Sequence, residues 1–456
     1  MFAVEPAGAE PIPATARHGH AMDLMWTWIP PNMEFATVYI GVVSVLTFDL
    51  GFWVATAALV LGAAFGSLAH GLLSSHGPRY GVPQMVVGRV AFGRWGNALP
   101  AALNTLGAGL GWFTVNSVAG AHALNGLTGM PNLLCLVLVA AVQIAVAYFG
   151  HNLVHRFGRY VMPLVTLAFL ASSVVVLSKA HLTGGASTTG SFSGFMLAFS
   201  AAFGYAAGWN PFAADYTRYL PADTARPKAA LCPALGVFAS ISLLTVVGAA
   251  SATIATDQTN PTGAFTSHLP GWLSDITLLA IVAGAVAANA MNTYSGAISF
   301  VSLWPRRLPR APVALVIGLI AFLFAWSALD NASRAYQDFL LVIAYWVSSW
   351  LAVIFTDEWL RNRNGVSQQE ALRRMMDPAY EVWAGPVAMV VGAAIAVLLF
   401  SHQKQYTGIV AHAAPSIGDL TCVVAFALTA ALYVALRQLP GLGPGSRYWA
   451  TTSGPS

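Results

Sequence analysis

The sequence predicts an all-α integral membrane protein that crosses the bilayer twelve times, and three observations support this fold class. First, 57% of the 456 residues are hydrophobic and only 8% are charged, whereas a soluble globular chain carries about 25% charged residues. Second, apolar stretches of about 20 residues recur along the chain, and each is long enough to cross a bilayer as a helix. Third, the basic residues collect in alternate segments between these stretches.

The apolar stretches place twelve spans, which we number in chain order. They are continuously apolar and do not alternate, so they favour helices over the strands of a closed barrel. Spans one to six are predicted near Trp26–Leu46, Gly51–Ser74, Leu99–Leu124, Asn132–Gly150, Tyr160–Lys179 and Gly194–Ala213. Spans seven to twelve are predicted near Ala229–Ala255, Trp272–Leu303, Ala311–Leu329, Asp338–Thr356, Gly385–Phe400 and Asp419–Leu436.

The basic residues test this count and predict the orientation. With a cytoplasmic N-terminus, all but three of the 21 Lys and Arg residues fall in cytoplasmic segments, the exceptions being Lys179, Arg334 and Lys404. This asymmetry follows the positive-inside rule and would vanish if one early span were missed. We therefore expect a multi-pass protein of the cell (inner or plasma) membrane with both termini cytoplasmic. Because the net charge of +4 is explained by this topology, no nucleic-acid partner is expected.

Two spans contain residues that interrupt a helix. Residues 28–34 (WIPPNME) open span one, and residues 204–211 (GYAAGWNP) lie within span six. Each segment combines Trp, Asn and Pro, and each proline removes a backbone donor. Unwound backbone at membrane depth is tolerated beside a cavity, so matching interruptions in two halves point to the binding site of a carrier. The alternative is a pair of ordinary proline kinks, or a span one that simply starts after Pro31.

The interrupted spans are five helices apart, which predicts two inverted five-helix repeats. The predicted organisation is an N-terminal tail, a first repeat, a second repeat, two additional helices and a C-terminal tail, at residues 1–25, 26–180, 193–356, 385–437 and 438–456. The residues before Met22 and after Pro440 are expected to be disordered.

Four short segments carry the motifs of a known family in the same order along the chain. They are residues 77–85 (GPRYGVPQM), 111–116 (GWFTVN), 208–221 (GWNPFAADYTRYLP) and 287–295 (AANAMNTYS). Together they resemble the nucleobase–cation symporter family, the purine and cytosine permeases. The resemblance implies a leucine-transporter-type fold of five plus five inverted helices with two additional helices. It also implies alternating access coupled to H⁺ or Na⁺.

The same resemblance implies a set of substrate residues. Trp112 and Asn116 of span three and Trp209 of span six match the family motif, and Asn292 or Asn289 of span eight joins them. The hydantoin and allantoin branches of the family tend to carry Gln at the position of Asn116, which favours cytosine or a purine here. A carrier of hydantoin, allantoin or a thiamine-precursor pyrimidine stays the alternative.

The chemistry of a nucleobase agrees with these residue types. Such a base is a flat, neutral ring edged with donors and acceptors, so it needs an aromatic face to stack on and amides to bind its edge. Trp112 and Asn116 are four residues apart, and Asn289 and Asn292 are three apart, so each pair shares one face of a helix. The alternatives are that the tryptophans pack between helices or at the interface, and that the asparagines join helices.

The coupling ion is expected to be H⁺, with Na⁺ as the alternative. Sodium-dependent relatives place hydroxyl residues shortly before the asparagine of span eight, where this chain has Ala283 and Gly284. Glu34 lies at the interruption of span one, with Asn32 beside it, and an acid at membrane depth is a functional candidate by default. Glu34 and Asn32 are therefore the candidate coupling residues, unless Glu34 lies at a mouth of the protein or pairs structurally.

The remaining expectations concern the gate and the absence of other chemistry. Asp215 and Arg218, one helical turn apart at the end of span six, are candidates for an ion pair that latches the inner gate, although a plain helix-end pair would look the same. No bound metal or organic cofactor is expected, and the oligomeric state is open. A membrane enzyme would need a catalytic constellation and a channel a repeated pore loop or charged ring. Neither is found in the sequence, so a carrier is favoured.

Overall fold

A computed structural model of the chain describes residues 8–149, 151–183, 185–254, 261–303, 309–329, 332–403 and 405–444, and their regular structure is helical. Span one comprises Ala21–Trp28 and Phe35–Leu46, and span two is Phe52–Ser74. Span three comprises Ala98–Leu106, Gly107–Trp112 and Phe113–Thr128. Spans four and five are Asn132–Phe149 and His151–Lys179, and span six comprises Phe192–Ala207, Asn210–Phe212 and Ala213–Thr217. Spans seven to twelve are Arg226–Ser251, Gly271–Leu303, Arg310–Ala328, Ala332–Arg363, Ala384–Phe400 and Thr421–Leu436.

The predicted spans coincide with these helices, and most differences are a few residues at an end. Seven described helices are long and apolar enough to cross a bilayer by themselves, and span one passes as a bent pair. Spans five and ten extend beyond the predicted apolar stretches, because a helix can continue past the hydrocarbon layer into polar sequence. The predicted ends at Gly150 and Ala255 lie outside the described residues.

The outer faces of the helices carry large apolar side chains that the protein itself does not cover. In span five, Leu164 and Val174 are each 68% exposed, and Leu319 and Leu323 of span nine are similarly uncovered. A contiguous apolar exterior of this kind fits a surface that contacts lipid rather than water.

The predicted interruptions of spans one and six are confirmed. Span one bends by 62° between its two helices, and Met33 and Glu34 leave helical geometry there, with Glu34 fully extended. In span six the first helix ends at Ala207, and a short 3₁₀ turn containing Pro211 follows before the chain resumes as a helix. Prolines cannot continue the hydrogen-bonding ladder, which is why both helices break at these positions.

Span three contains a wide helical turn that the sequence did not predict. Residues Gly107–Trp112 form a π-helix between two α-helical parts. The small residues here bring neighbouring helices close, because a Cβ on Gly109 would lie 2.6 Å from Ile317 Cγ2 and one on Gly111 would lie 2.3 Å from Phe339 Cε2. The close packing expected of these glycines is thus present, and the extra residue in the turn rotates Trp112 relative to the start of the helix.

Glycines bring two pairs of spans into backbone contact. A Cβ on Gly41 of span one would lie 1.9 Å from the carbonyl oxygen of Thr245 in span seven, and a Cβ on Gly248 would lie 1.8 Å from that of Val38. In spans two and six, a Cβ on Gly62 would lie 2.4 Å from the carbonyl oxygen of Phe199. With repeats offset by five helices, the pair one–seven is equivalent to the pair six–two. This correspondence is what an inverted repeat requires.

The expected disorder of the N-terminal tail is wrong for residues 8–20. Ile12 is buried, and its N–H donates to the carbonyl of Gly81 (2.9 Å). Arg17 donates to the carbonyl of Pro78 (2.8 Å), and the N–H of His18 donates to the carbonyl of Tyr219. Backbone groups of two loops therefore hold this segment in place, which composition alone could not indicate. Near the C-terminus, the carbonyl of Leu442 likewise accepts bonds from the N–H groups of Trp383 and Ala384 at the start of span eleven.

Candidate substrate and cation site

The interruptions of spans one and six are joined by side-chain hydrogen bonds. Trp209 Nε1 donates to Asn32 Oδ1 (2.8 Å), and Asn32 Nδ2 donates to the carbonyl of Trp28 (2.7 Å). The rings of Trp28 and Trp209 meet edge to face with centroids 5.5 Å apart. His70 of span two also packs against Trp28, with ring centroids 4.3 Å apart. The Asn32 side chain therefore bonds to the backbone of the interruption in span one and to Trp209 at the interruption in span six. Its role in ion coupling stays a prediction.

Trp112 of span three packs against the interruption of span six. Its ring contacts Tyr205 and Phe339 edge to face, with centroid distances of 5.2 and 5.0 Å. A Cβ on Gly208 would lie 3.1 Å from Trp112 Cζ2, so the ring packs closely on this glycine and would have to shift to accept a larger residue. The two predicted indoles thus flank the same break in span six, and their ring contacts are with different aromatic neighbours.

The three predicted asparagines form one buried cluster between spans three and eight. Asn116 Nδ2 donates to Asn289 Oδ1 (3.1 Å), and Asn292 Nδ2 approaches the same oxygen (3.3 Å). All three side chains are at most 1% exposed. The structure brings together what the sequence left as two separate helix faces.

Two amide oxygens of this cluster have no hydrogen-bond partner among the described residues. They are Asn116 Oδ1 and Asn292 Oδ1. A buried polar atom without a partner costs about 1–3 kcal/mol, so such atoms are uncommon in folded proteins and call for an explanation. A bound polar ligand or an ordered water would supply the missing partner.

Glu34 is buried and bound to span six. Its Oε1 lies 2.8 Å from the hydroxyl of Tyr205, which lies 2.6 Å from Thr37 Oγ1. Thr37 Oγ1 in turn lies 2.7 Å from the carbonyl oxygen of Asn32. Glu34 is 2% exposed, so it does not lie at an open mouth in this conformation. This run of oxygens connects the acid to the backbone of the interruption in span one.

The predicted gate residues lie where span six ends. Gln84 donates its backbone N–H to Asp215 Oδ1 (2.9 Å), which ties span six to the segment after span two. Arg218 donates to the carbonyl of Gly8 (2.8 Å) in the N-terminal segment and approaches the hydroxyl of Tyr294 in span eight (3.5 Å). Both residues therefore contact several elements on this side of the protein, and the ion pair between them stays a prediction.

Several buried polar residues at the site escaped the sequence reasoning. Ser117 Oγ donates to Gln143 Oε1 (2.7 Å), and Tyr205 contacts both Glu34 and Thr37 as described above. A sequence signal existed for Gln143, because it is an amide in the middle of the apolar span four. Tyr205 stands inside the segment that was singled out for its helix breakers, but a tyrosine there gives no separate signal.

Comparison with known proteins shows which family the chain is similar to. Residues 11–425 match a family model described as a permease for cytosine/purines, uracil, thiamine and allantoin. A putative purine-cytosine permease of Bacillus subtilis, YxlA, is 26% identical over 95% of this chain and 96% of its own. The purine-cytosine permease fcyB of Emericella nidulans is 27% identical over 95% of this chain and 88% of its own.

A solved structure has the same fold. Mhp1, a nucleobase-cation-symport-1 family transporter captured in a closed conformation with bromovinylhydantoin bound, superposes with a TM-score of 0.75 at 18% identity, over 95% of this chain and 94% of its own. This likeness confirms the predicted leucine-transporter-type, all-α fold with twelve transmembrane helices. With the match of the family model over most of its length, the chain belongs to the family of permeases for cytosine/purines, uracil, thiamine and allantoin.

Proposed function

We propose that this protein imports a nucleobase, cytosine or a purine, across the cell membrane by symport with H⁺ through alternating access. The observation that carries the proposal is the asparagine cluster, in which two buried amide oxygens lack a hydrogen-bond partner among the described residues, with Trp112 one helical turn before Asn116 in the same span. An amide edge next to an aromatic face matches the two chemical features of a nucleobase. Stacking on an aromatic is worth about 1–3 kcal/mol per base, and Asn amides read base edges by paired hydrogen bonds.

Counting protons supports H⁺ as the coupling ion. Three oxygen–oxygen contacts run from Glu34 through Tyr205 and Thr37 to the carbonyl of Asn32, at 2.8, 2.6 and 2.7 Å. Each contact needs one proton, and the two hydroxyls supply only two. A protonated Glu34 supplies the third, with every hydroxyl then donating once along the run. The carboxyl group in its neutral form therefore completes the bonding between spans one and six.

The alternative ion, Na⁺, has weaker support. Unwound carbonyls together with side-chain oxygens of a neighbouring helix bind such ions in carriers. Here span eight approaches the interruption through Gly284, where a Cβ would lie 2.2 Å from the carbonyl oxygen of Met33. Ala283 and Gly284 supply no side-chain oxygen at this contact.

The basic side of the protein supports the proposed orientation. Glu358 at the end of span ten is bound by His76, Arg79 and Arg226, at 3.0, 3.1 and 2.9 Å. The N-terminal segment contacts the same region through Arg17 and Pro78. By the positive-inside rule this side is cytoplasmic, with both termini on it.

Uptake of radiolabelled cytosine tests the function. The protein is produced in cells that lack their own permease, and accumulation is followed with and without a protonophore. We expect saturable accumulation that the protonophore abolishes. Saturable uptake that is insensitive to the protonophore but depends on a Na⁺ gradient would overturn H⁺ as the coupling ion. If neither cytosine nor adenine enters through a correctly inserted protein, a nucleobase is the wrong substrate.

Replacing the buried acid tests the coupling residue. Gln at position 34 has the shape of a protonated Glu and can donate to the Tyr205 hydroxyl, so Glu34→Gln should keep the hydrogen bonds but lose the titratable group. Wild-type uptake should fall as the external pH rises, because the coupling proton becomes scarce. We expect uptake by Glu34→Gln to be independent of pH and unable to concentrate the substrate, while exchange of internal for external base continues.

Asp49→Asn is a matched control for this experiment. Asp49 is an exposed acid in the turn after span one, with φ of 55°, a geometry that Asn also adopts readily. Its replacement changes the same charge outside the site and should leave the pH profile as in the wild type. A pH profile of Glu34→Gln that matches the wild type would remove Glu34 from the coupling role.

A further inference from the structure

The orientation of the buried amides can be deduced from a directed series of hydrogen bonds that starts in span four. Gln143 is fully buried, and its Nε2 donates to the carbonyl of Ala285 in span eight (3.1 Å). A backbone carbonyl only accepts, so the nitrogen of this amide must face span eight. Gln143 Oε1 consequently faces Ser117 Oγ at 2.7 Å, and the Ser117 hydroxyl must donate to it.

The direction of the Ser117 hydrogen bond determines the orientation of the Asn289 amide. Because its proton is committed to Gln143, the Ser117 oxygen can only accept from Asn289, whose Nδ2 lies 3.1 Å away. The same nitrogen donates to the carbonyl of Phe113 (2.9 Å), which fixes the amide a second time. Asn289 Oδ1 therefore faces the other two asparagines and acts only as an acceptor.

The orientation of the Asn116 and Asn292 amides then follows from that of Asn289. Asn116 and Asn292 must each turn an N–H toward Asn289 Oδ1, so their own oxygens point away from it. These are the two buried oxygens without a partner among the described residues. Each amide still has a second N–H next to its oxygen. The site thus presents acceptor oxygens whose orientation is set by residues that a ligand does not touch.

We propose that Ser117 and Gln143 are positioning residues that fix this polarity, and that the site thereby selects bases with an exocyclic amino group beside a ring nitrogen acceptor. The inference deepens the proposed nucleobase transport and rests on it. Cytosine and adenine both carry an amino group next to an unprotonated ring nitrogen, which matches the oxygen and remaining N–H of an Asn amide. Bound in the same register as cytosine, uracil and hypoxanthine, which carry a carbonyl next to a ring N–H, would place an oxygen against an oxygen and a donor against a donor.

Competition for uptake measures this selectivity in the intact wild-type protein. Radiolabelled cytosine, or adenine if cytosine is not accepted, is the transported probe, and unlabelled cytosine, adenine, uracil, hypoxanthine and pyrimidin-2-one are the competitors. We expect the amino-bearing bases to compete at concentrations at least about tenfold lower than the oxo-bearing bases, since a mismatched buried donor or acceptor is costly. Pyrimidin-2-one, which lacks the amino group, should compete less well than cytosine.

A pair of substitutions tests the positioning role separately. Ser117→Ala removes the acceptor that joins Asn289 to Gln143 and leaves the carbonyl of Phe113 as the remaining acceptor for the Asn289 amide nitrogen. The amide is then held less firmly, so the ratio of inhibition constants for uracil and cytosine should fall several-fold. Ser117→Thr keeps the hydroxyl and should keep the ratio. A purely structural role of Ser117 would lower the amount of inserted protein without moving this ratio.

The outcomes separate the two proposals. If uracil and hypoxanthine compete as well as cytosine and adenine, the selectivity is wrong while nucleobase transport stands. If the wild type is selective and Ser117→Ala keeps the wild-type ratio, the positioning role is overturned. If no base is taken up at all, the proposed function fails and this inference fails with it.

Discussion

Asn116→Ala is expected to abolish saturable uptake while the protein still inserts into the membrane. The substitution removes one of the two free acceptor oxygens and also the N–H that Asn289 Oδ1 receives from Asn116. Each unmatched buried polar group costs about 1–3 kcal/mol, and about 1.4 kcal/mol corresponds to a factor of ten in affinity. Asn289 Oδ1 keeps Asn292 as a donor, so the main loss is the ligand group that faced Asn116 and is left unmatched. At the upper end of this range the apparent affinity falls by about a hundredfold, beyond the range in which saturation is measurable.

Asn104→Ala is the matched control for this experiment. Asn104 is buried in the same span and also donates to span eight, through Ser299 Oγ at 2.7 Å, but it lies outside the asparagine cluster. It therefore reports the cost of losing one hydrogen bond between these two helices. Uptake is measured per amount of inserted protein over a range of cytosine concentrations. Normal saturation in Asn116→Ala, or an equal loss in Asn104→Ala, would remove Asn116 from the binding site.

Gly248→Val should have the largest effect on stability. A Cβ at this position would lie 1.8 Å from the carbonyl oxygen of Val38, and 3.2 Å from the Cα of Gly41. These neighbours are backbone atoms, so no side chain can move aside and spans one and seven would have to separate. Overpacking of this kind typically costs about 1–3 kcal/mol and more where the backbone must shift. We expect most of the protein to be lost from the folded, inserted fraction.

Thermal stability in detergent, followed by the monodisperse peak in size-exclusion chromatography, measures this loss. Gly271→Val is the matched control, because Gly271 begins span eight at an exposed position with no heavy atom of a neighbour within 4 Å of a Cβ built there. It should behave as the wild type. A Gly248→Val protein with an unchanged melting temperature would show that spans one and seven are not in backbone contact.

Much of the fold was predictable because the determinants are local. Continuous apolar stretches and basic loops placed the spans, and Pro30, Pro31 and Pro211 placed both interruptions. The π-turn at Gly107–Trp112 was not predictable, because it depends on how closely spans nine and ten approach the glycines of span three. The ordered segment around Ile12 was missed for a similar reason. Its hydrogen bonds reach Gly81 and Tyr219, which are remote in sequence.

In the candidate site, too, the features set by local sequence were predictable and those set by helix packing were not. Motifs in spans three, six and eight singled out Trp112, Asn116 and the asparagines of span eight, and the structure joins the three asparagines by hydrogen bonds. The contribution of Gln143 depends on its distance to Ser117, which is set by the packing of span four on span three. A pattern within one helix contains no information about that distance, so the orientation of the amides required the fold.

The glycine contacts also determine how this molecule can move. Backbone contact joins span one to span seven and span two to span six, and Gly71 brings span two equally close to span seven at Ala230. Spans three, four and eight are joined by the bonded series from Gln143 to Asn116. Backbone contacts and continuous bonds of this kind favour rigid displacement over bending. We therefore expect two rigid bodies that rotate against each other about the approach of Gly284 to Met33, with Trp209 carried by one and Asn116 by the other. Release of the substrate would then require that the break of span six, with Trp209, moves away from Trp112 and Asn116 of span three.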